Sequence, residues 1–599
     1  GYPTEETVSY SDGTIIRKTN AYSHQSAVKD GYNLGFLVDQ TSAVTRAGES
    51  YTERLFIPTC SRRQPDVKIL YKNGNAVKEE TFYYNSNGNT ICSSVKDFSG
   101  TNCQKTTYEY NLFGRPAKTT DPMGLVTQIC YNNLGLVESM TDTRGGVTTY
   151  SYDAFGRETS VTYPDNTCKN ITLAWVTDGM GGLYKKTQNM TGQPKSASAY
   201  DALNREVLTA ETLLNGKELI VLKLYDDAGH LWMTSVPYDK SAPPIWNTYT
   251  YDFFDRVTSY TEASGAITEY TYNGNSVTTT SKGIARTQTY DALGNLISVT
   301  DPAGTITYQV APDGSPVSIT APGNITTSFE YDKYRRRVRL VDPSMGATTY
   351  EYDASGNLSK ETDANGKVRQ YEYDQYNRLL KSICPEFTTS YRYNALSDLV
   401  EVATSNGTGN TISYDAFGRV RQRKQTAPDG KWLQKDYTYA GGNVSTIEYT
   451  SQAGRIAQES YVYANGSLKG VKLNGTTNVY DISALNSLGM ASGIVSGGIT
   501  RKYDYTPAGL LTGRSGTGFG KKYQDFSYAL DAKTSNLLSR KDNTRNISES
   551  FGYDELDRLT SFGGKNTSYD SKGNITGLSD IGSFDYDISQ KPYAVSGVT

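Results

Sequence analysis

Tyrosine and polar residues alternate along most of this chain. Tyr-x-Tyr recurs at Tyr108/Tyr110, Tyr150/Tyr152, Tyr249/Tyr251, Tyr270/Tyr272, Tyr350/Tyr352, Tyr371/Tyr373 and Tyr391/Tyr393, and again at Tyr437/Tyr439, Tyr461/Tyr463 and Tyr503/Tyr505. Residues two apart share one face of a β-strand, so the rings line one face. The residues between them, such as Glu351, Glu372, Arg392 and Thr438, are polar and belong on the other. The pattern predicts many short strands with tyrosines laddered over one side of a sheet. Each aromatic cross-strand pair contributes ~0.2–1 kcal/mol, so such a ladder gains stability by number. No amphipathic helix of about 12 residues or more is predicted.

A short phrase punctuates the strands: Tyr-Asp/Asn-x-x-Gly/Asn/Asp-Arg/Asn/Leu. Clear copies start at Tyr110, Tyr131, Tyr152, Tyr200, Tyr225, Tyr251, Tyr290, Tyr331, Tyr352, Tyr373, Tyr393, Tyr414, Tyr553 and Tyr569. Tyr110, Tyr131 and Tyr152 are 21 residues apart, as are Tyr331, Tyr352 and Tyr373. Two strands of about 6–7 residues and two turns use up that length. The phrase supplies the first turn, since Asp or Asn bonds its own backbone two residues on and Gly or Asn closes the hairpin. The second turn lies midway, as Asp121-Pro122-Met123-Gly124, Asp142-Thr143-Arg144-Gly145, Asp301-Pro302-Ala303-Gly304 and Asp363-Ala364-Asn365-Gly366. Two turns per period imply an antiparallel meander. Roughly 45 strands at ~4.8 Å each make a strip on the order of 200 Å long, enough to coil once or twice.

The repeat divides the chain into a divergent N-terminal repeat or cap region at 1–81, the main array at 82–465, an irregular interruption at 466–502 and C-terminal repeats at 503–599. Residues 164–199, with Trp175 and the stretch Gly179 to Gly182, are a further interruption. Both interruptions are expected to be long loops or irregular hairpins.

Composition agrees. Of 599 residues, 49 are Tyr and 56 Gly, which suits many strands and tight turns, while hydrophobic residues reach only 36%. The formal net charge is −3 with acids and bases balanced, so no basic field exists to hold nucleic acid or an anionic membrane. No run of 18 apolar residues is present, and Ser483 to Thr500 is too rich in Ser and Gly to span a bilayer. Gly1 opens without a signal-like segment, which implies a removed signal or a fragment.

The phrases YDAFGR, YDALGN and YEYDASGN, with DPxG turns between them, resemble the YD repeats of Rhs proteins. The same repeats occur in the encapsulating component of bacterial insecticidal toxin complexes and in teneurin ectodomains. The resemblance covers about residues 82–590. It implies an all-β fold, in which tandem antiparallel hairpins form one long strip wound into a hollow shell or part of one. It also implies a shell that encloses a C-terminal toxin or effector segment, or a purely structural one. The repeat-associated core with its aspartyl self-cleavage site is not visible, and no toxin domain follows Thr599. Self-proteolysis and toxicity are therefore not expected of this chain. A secreted or cell-surface location follows from the resemblance, with a cargo toxin polypeptide, another shell subunit, or secretion-system or cell-surface components as partners.

Catalytic chemistry is sparse, and no catalytic, metal or cofactor site is assigned. The only two His are His24 and His230. His230 fills the last position of a repeat phrase, so a turn role outweighs a catalytic one. A Cys60–His24 nucleophile pair has nothing to mark it. The Asp residues are mostly turn residues, and no carboxylate pair suggests a glycosidase. Asp-Pro at Asp121, Asp301 and Asp342 reads as turns, not as self-cleavage sites. The dense Asp spacing of a calcium loop is missing. Cys60, Cys92, Cys103, Cys130, Cys168 and Cys384 contain no CxxC pair, which argues against zinc. Cys92 and Cys103 could bridge a hairpin, with free thiols as the alternative. Asn-x-Ser/Thr triplets at Asn170, Asn324 and Asn574 reflect an Asn- and Thr-rich sequence unless the protein is a secreted eukaryotic one.

Two function classes remain. One is a structural shell that sequesters a cargo. The other is an adhesive surface protein that binds glycans or a partner through exposed aromatics such as Trp175, Trp232, Trp246 or Trp432. The first requires a hollow wound strip, and the second an exposed aromatic patch.

Overall fold

The computed structural model describes residues 4–22, 36–46, 48–61, 64–96, 103–176, 182–587, 589 and 591–599. His24 and residues 177–181 lie outside the described residues. All regular structure among the described residues is β: 53 strands, from Glu5–Ser9 to Val595–Val598. No helix there is long and apolar enough to cross a membrane. Each strand pairs antiparallel with its neighbours in sequence. Thus Cys103–Tyr110 pairs with Pro116–Thr120, and Pro116–Thr120 with Val126–Tyr131. The result is one open meander.

The local reasons are those of the repeat. Asp153 Oδ1 accepts the backbone N–H of Phe155 at 2.9 Å and of Arg157 at 3.0 Å, which fixes the turn. Gly156 takes the left-handed residue at φ 77°, where Asn204 and Asn377 serve in other copies at 61° and 63°. The Tyr that opens the phrase sits at a register shift: Cys130 faces Ser139, but Tyr131 faces Val137. The resulting bulge bends and twists the strip once per repeat.

The 53 strands exceed the predicted 45 because some hairpins use two-residue turns outside the phrase. Asn465-Gly466 and Asn474-Gly475 have both φ angles positive, the geometry that matches strand twist. They let strands Ser467–Leu473 and Thr477–Leu485 carry the meander through residues 466–502. Around Trp175, strands Cys168–Trp175 and Tyr184–Met190 pair over seven positions.

All six cysteines are free. Register rules out a bridge between Cys92 and Cys103. Cys92 faces Thr107 and Cys103 faces Lys96, so they stand four positions apart along the hairpin, about 13 Å and beyond disulfide reach.

The core is small. Ala197, Ala199, Leu208, Ala210, Ile220 and Tyr238 form a buried cluster where the segment after Ser235 folds back and Tyr238 bridges to Ile220. Elsewhere the strip is half-exposed. The chain exposes 33488 Å², against roughly 21,000 Å² for a compact protein of this size. That excess excludes a solid globule.

Candidate functional site

Each repeat closes on the next through a Tyr, an Arg and an Asp. The phenol of the phrase Tyr donates to a backbone carbonyl at the start of the strand after the preceding phrase turn. Tyr131 reaches Pro116 O at 2.7 Å, Tyr152 reaches Val137 O at 2.8 Å, and Tyr414 reaches Leu399 O at 2.9 Å. Seventeen described tyrosines make this bond, from Tyr84 to Tyr586. Burial raises the pKa of phenols such as Tyr110, Tyr152 and Tyr414, and Tyr84 is pushed up to about 12 by burial and by Asp66.

The Arg at the end of the phrase faces two ways. Arg256 Nε donates to its own Asp252 at 2.8 Å, and its guanidinium lies 4.2 Å from the ring centre of the next Tyr, Tyr272. Arg205 over Tyr225, Arg336 over Tyr352, Arg378 over Tyr393, Arg419 over Tyr439 and Arg558 over Tyr569 repeat this at 4.3–4.7 Å. A guanidinium over a tyrosine face contributes ~0.5–1 kcal/mol at exposed sites. The predicted ladder is therefore mostly Tyr alternating with Arg. Among the described residues direct tyrosine ring contact is local, stacked at Tyr184–Tyr200 and tilted at Tyr249–Tyr260. The carboxylate of Asp153 is held below the usual range by the Arg157 backbone N–H, against burial, with the Arg157 side chain assisting.

His230 takes the Arg place in its repeat. Its ring nitrogens lie 3.1 Å from Asp226 and 2.9 Å from Asp255, and it stacks on Tyr251 at 4.5 Å. This is the turn role expected of it. Asp121, Asp301 and Asp342 each accept a backbone N–H two residues on, at 2.8–2.9 Å. Cys60 lies in a described strand, but its supposed partner His24 falls outside the described residues. Among the described residues no three His, Cys, Asp or Glu side chains converge as metal ligands.

A second set of contacts ties residues about 250 apart. Arg419 Nη1 lies 3.0 Å from Asp165 Oδ2, Asn443 donates to Gly192 O at 2.5 Å, and Asn465 donates to Leu213 O at 3.0 Å. The Asp239 N–H reaches Ser487 O at 2.8 Å, and Arg144 pairs with Asp398. Near the ends of the chain, Arg46 pairs with Asp291 at 2.6 Å and Lys282 with Asp557 at 3.3 Å. These contacts join the two edges of the strip. Asp398 and Arg419 lie in phrase turns, whereas Arg144 and Asp165 lie in second turns. The phrase edge of a later coil thus seats on the second-turn edge of the coil before it. From the turn of Arg144 to that of Asp398 is 23 strands, or about 110 Å of strip. The strip therefore winds in a spiral about 35 Å across, with little more than two turns. Glycines permit the closest approaches: a Cβ on Gly192 would lie 1.9 Å from Gly441 O, and one on Gly466 2.1 Å from the Gln193 carbonyl carbon. The seam could not be read from sequence, because its partners are separated by a whole coil.

The aromatic candidates are scattered. Trp175 is exposed beside Tyr184, Tyr200, Lys186 and Phe155 in an open groove of about 990 Å³. Trp232 lines another with His230. Trp432 is half-buried under Lys424, whose Nζ is 4.3 Å from its ring.

Comparison with known proteins fits this geometry. The RHS repeat family model matches residues 131–167, 275–306 and 346–386. No curated protein matches the sequence. Among solved structures, TcdB2-TccC3-TEV superposes with a TM-score of 0.76 at 12% identity, over 97% of this chain and 43% of that one. A mutant Tc holotoxin pore of Photorhabdus luminescens gives 0.77 at 12% identity, over 98% and 42%. TcdB2-TccC3 without its hypervariable C-terminal region gives 0.75 at 12%, over 94% and 42%. The chain thus spans less than half the length of the structures it resembles, and at this identity the likeness is one of fold. With the motif matches and the wound hairpin strip together, the chain carries RHS repeats in those three segments and has the wound β-shell fold of these Tc structures.

Proposed function

We propose that this chain forms the wall of a hollow β-shell that encloses a polypeptide cargo, a toxin or effector segment, and acts by sequestration and not by catalysis. The observation that carries this reading is the seam. A strip whose successive coils are joined edge to edge by Arg419–Asp165, Asn443–Gly192 and Asn465–Leu213 makes a continuous wall, not an open ribbon. The exposed area fits a wall with two free faces. Residues 1–81 would start or cap the strip, 82–465 and 503–599 would build it, and 466–502 would vary it. Secretion or display at a cell surface suits a container of this kind, and the Tc structures named above make a toxin polypeptide the leading partner. The test is limited proteolysis of the native protein with its cargo. The cargo should survive while the wall is intact and be digested when Gly192→Arg opens the seam. Equal digestion in both cases would overturn the reading.

A second reading has one observation in its favour. The exposed Trp175 face next to stacked Tyr184 and Tyr200 suits a glycan or partner surface. Glycan binding at micromolar strength, lost in Trp175→Ala, would support it.

A further inference from the structure

Within this chain the two end rims of the spiral have no coil against them, and one of the two is apolar. In the later coils the apolar residue at the fourth position of the phrase is partly shielded by the coil it sits on: Leu293, Tyr334, Tyr376, Leu396 and Leu556 are half-buried, and Phe417 is 43% exposed. The same position in the first coil is bare. Phe113 is 87% exposed, Phe155 83%, Leu203 73% and Phe254 70%. The local turn is the same in both coils, with Asp153 and Asp415 accepting the same pair of backbone N–H groups. What differs is the neighbouring edge. Isolated exposed apolar residues need no explanation, but a row of them repeating along one rim does.

The charged groups repeat the contrast. Arg419 gives Nε to its own Asp415 and Nη1 to Asp165 of the coil beneath. On the bare rim, Arg157 and Arg256 also give Nε and Nη2 to their own aspartates, Asp153 and Asp252. Asp165 stands in a Pro164-Asp165-Asn166 second turn. At the opposite edge of the spiral, Pro428-Asp429-Gly430 forms the same kind of turn on the second coil, and it is exposed.

We propose that the bare first-coil rim docks on the second-turn edge of a second copy of this chain, head to tail, continuing the seam between molecules. The chain carries both halves of that contact. The apolar tips around Phe113, Phe155 and Phe254 form one, and the acidic turns around Asp363 and Asp429 form the other. Because the two halves differ, the contact is heterologous and does not end at a dimer unless it closes a ring.

Sedimentation velocity over a concentration series tests this. The intact chain should show dimers and longer species that grow with concentration and shrink at high salt. A rim variant, Phe113→Asp with Phe254→Asp, should remain monomeric with an unchanged melting temperature and circular dichroism. An edge variant, Asp363→Asn with Asp429→Asn, which removes the charges and keeps the side-chain oxygen that accepts the turn's backbone N–H groups, should do likewise. Mixed together, the two variants each retain one good half and should form a one-to-one dimer and nothing longer. A single monomeric species at every concentration would overturn the proposal and leave the rim to a different partner. Association that persists in both variants would overturn it as well.

Discussion

Arg419 places its Nη1 3.0 Å from Asp165 Oδ2 across 254 residues of sequence. The pair lies where one coil of the strip meets the next, and both side chains are about three-quarters buried or more. Removing one partner leaves a largely buried charge without this counter-ion. Arg419→Ala should lower stability by about 1–2 kcal/mol. The same logic holds for Arg144 and Asp398. The swap Arg144→Asp with Asp398→Arg should recover most of what either single change loses, and a double-mutant cycle by urea unfolding measures it.

Glycine substitutions separate turn strain from seam closure. Gly124 has φ +83° and open space where a Cβ would go, so Gly124→Ala should cost about 1 kcal/mol of left-handed strain and leave the spiral intact. Gly192 has φ +76° and a carbonyl 1.9 Å from that Cβ. Gly192→Ala should force the coils apart, and hydrogen exchange should quicken both near residue 192 and near residue 441. Equal local effects in the two variants would show that the seam is not tight there.

The tyrosine bonds predict behaviour in alkali. Folded phenols such as Tyr84 and Tyr51 are raised to about 12, by burial first. The stabilisation is present below the ordinary tyrosine pKa of about 10 and is lost as pH rises through the folded value. Titration by ultraviolet absorbance should show a subset of the tyrosines, Tyr84 and Tyr51 among them, ionising well above pH 10, together with loss of strand signal. Tyr414→Phe should cost about 1 kcal/mol, the size of one net hydrogen bond. Tyr83→Phe should cost little, since that ring is exposed.

His230 gives one repeat a pH response that the Arg-bearing copies do not have. Hydrogen bonds to Asp226 and then Asp255 raise its pKa above the ordinary value of 6.5. Its charged contacts are complete below pH 6.5 and are lost as pH rises through the raised value. Nuclear magnetic resonance titration of the His230 ring should give a midpoint above 6.5, and His230→Arg should remove the local dependence. A midpoint at or below 6.5 would show that neither aspartate holds the ring.

The repeat itself was legible in the sequence. The 21-residue spacing, the Asp-x-x-Gly turn and the Tyr-x-Tyr alternation gave antiparallel hairpins, because all three are set by neighbours within one period. The roles of the phrase Arg and of the tyrosine hydroxyl were not inferred, although the sequence held a clue. Arg115, Arg256 and Arg378 each stand just before the strand that faces the next phrase Tyr. The Asn465-Gly466 turn was visible too, as a dipeptide favoured in two-residue hairpins. The seam was not legible. Arg144 and Asp398 have no local signature, and only the accumulated twist and bend of 23 strands brings them together.

Small-angle X-ray scattering tests the winding most directly. The 53 strands laid out as a straight ribbon would extend about 250 Å. Wound with a coil every 23 strands, they should give a longest dimension under about 100 Å, with the pair-distance distribution of a hollow body. A longest dimension near 250 Å, or the distribution of a solid globule, would contradict the wound shell.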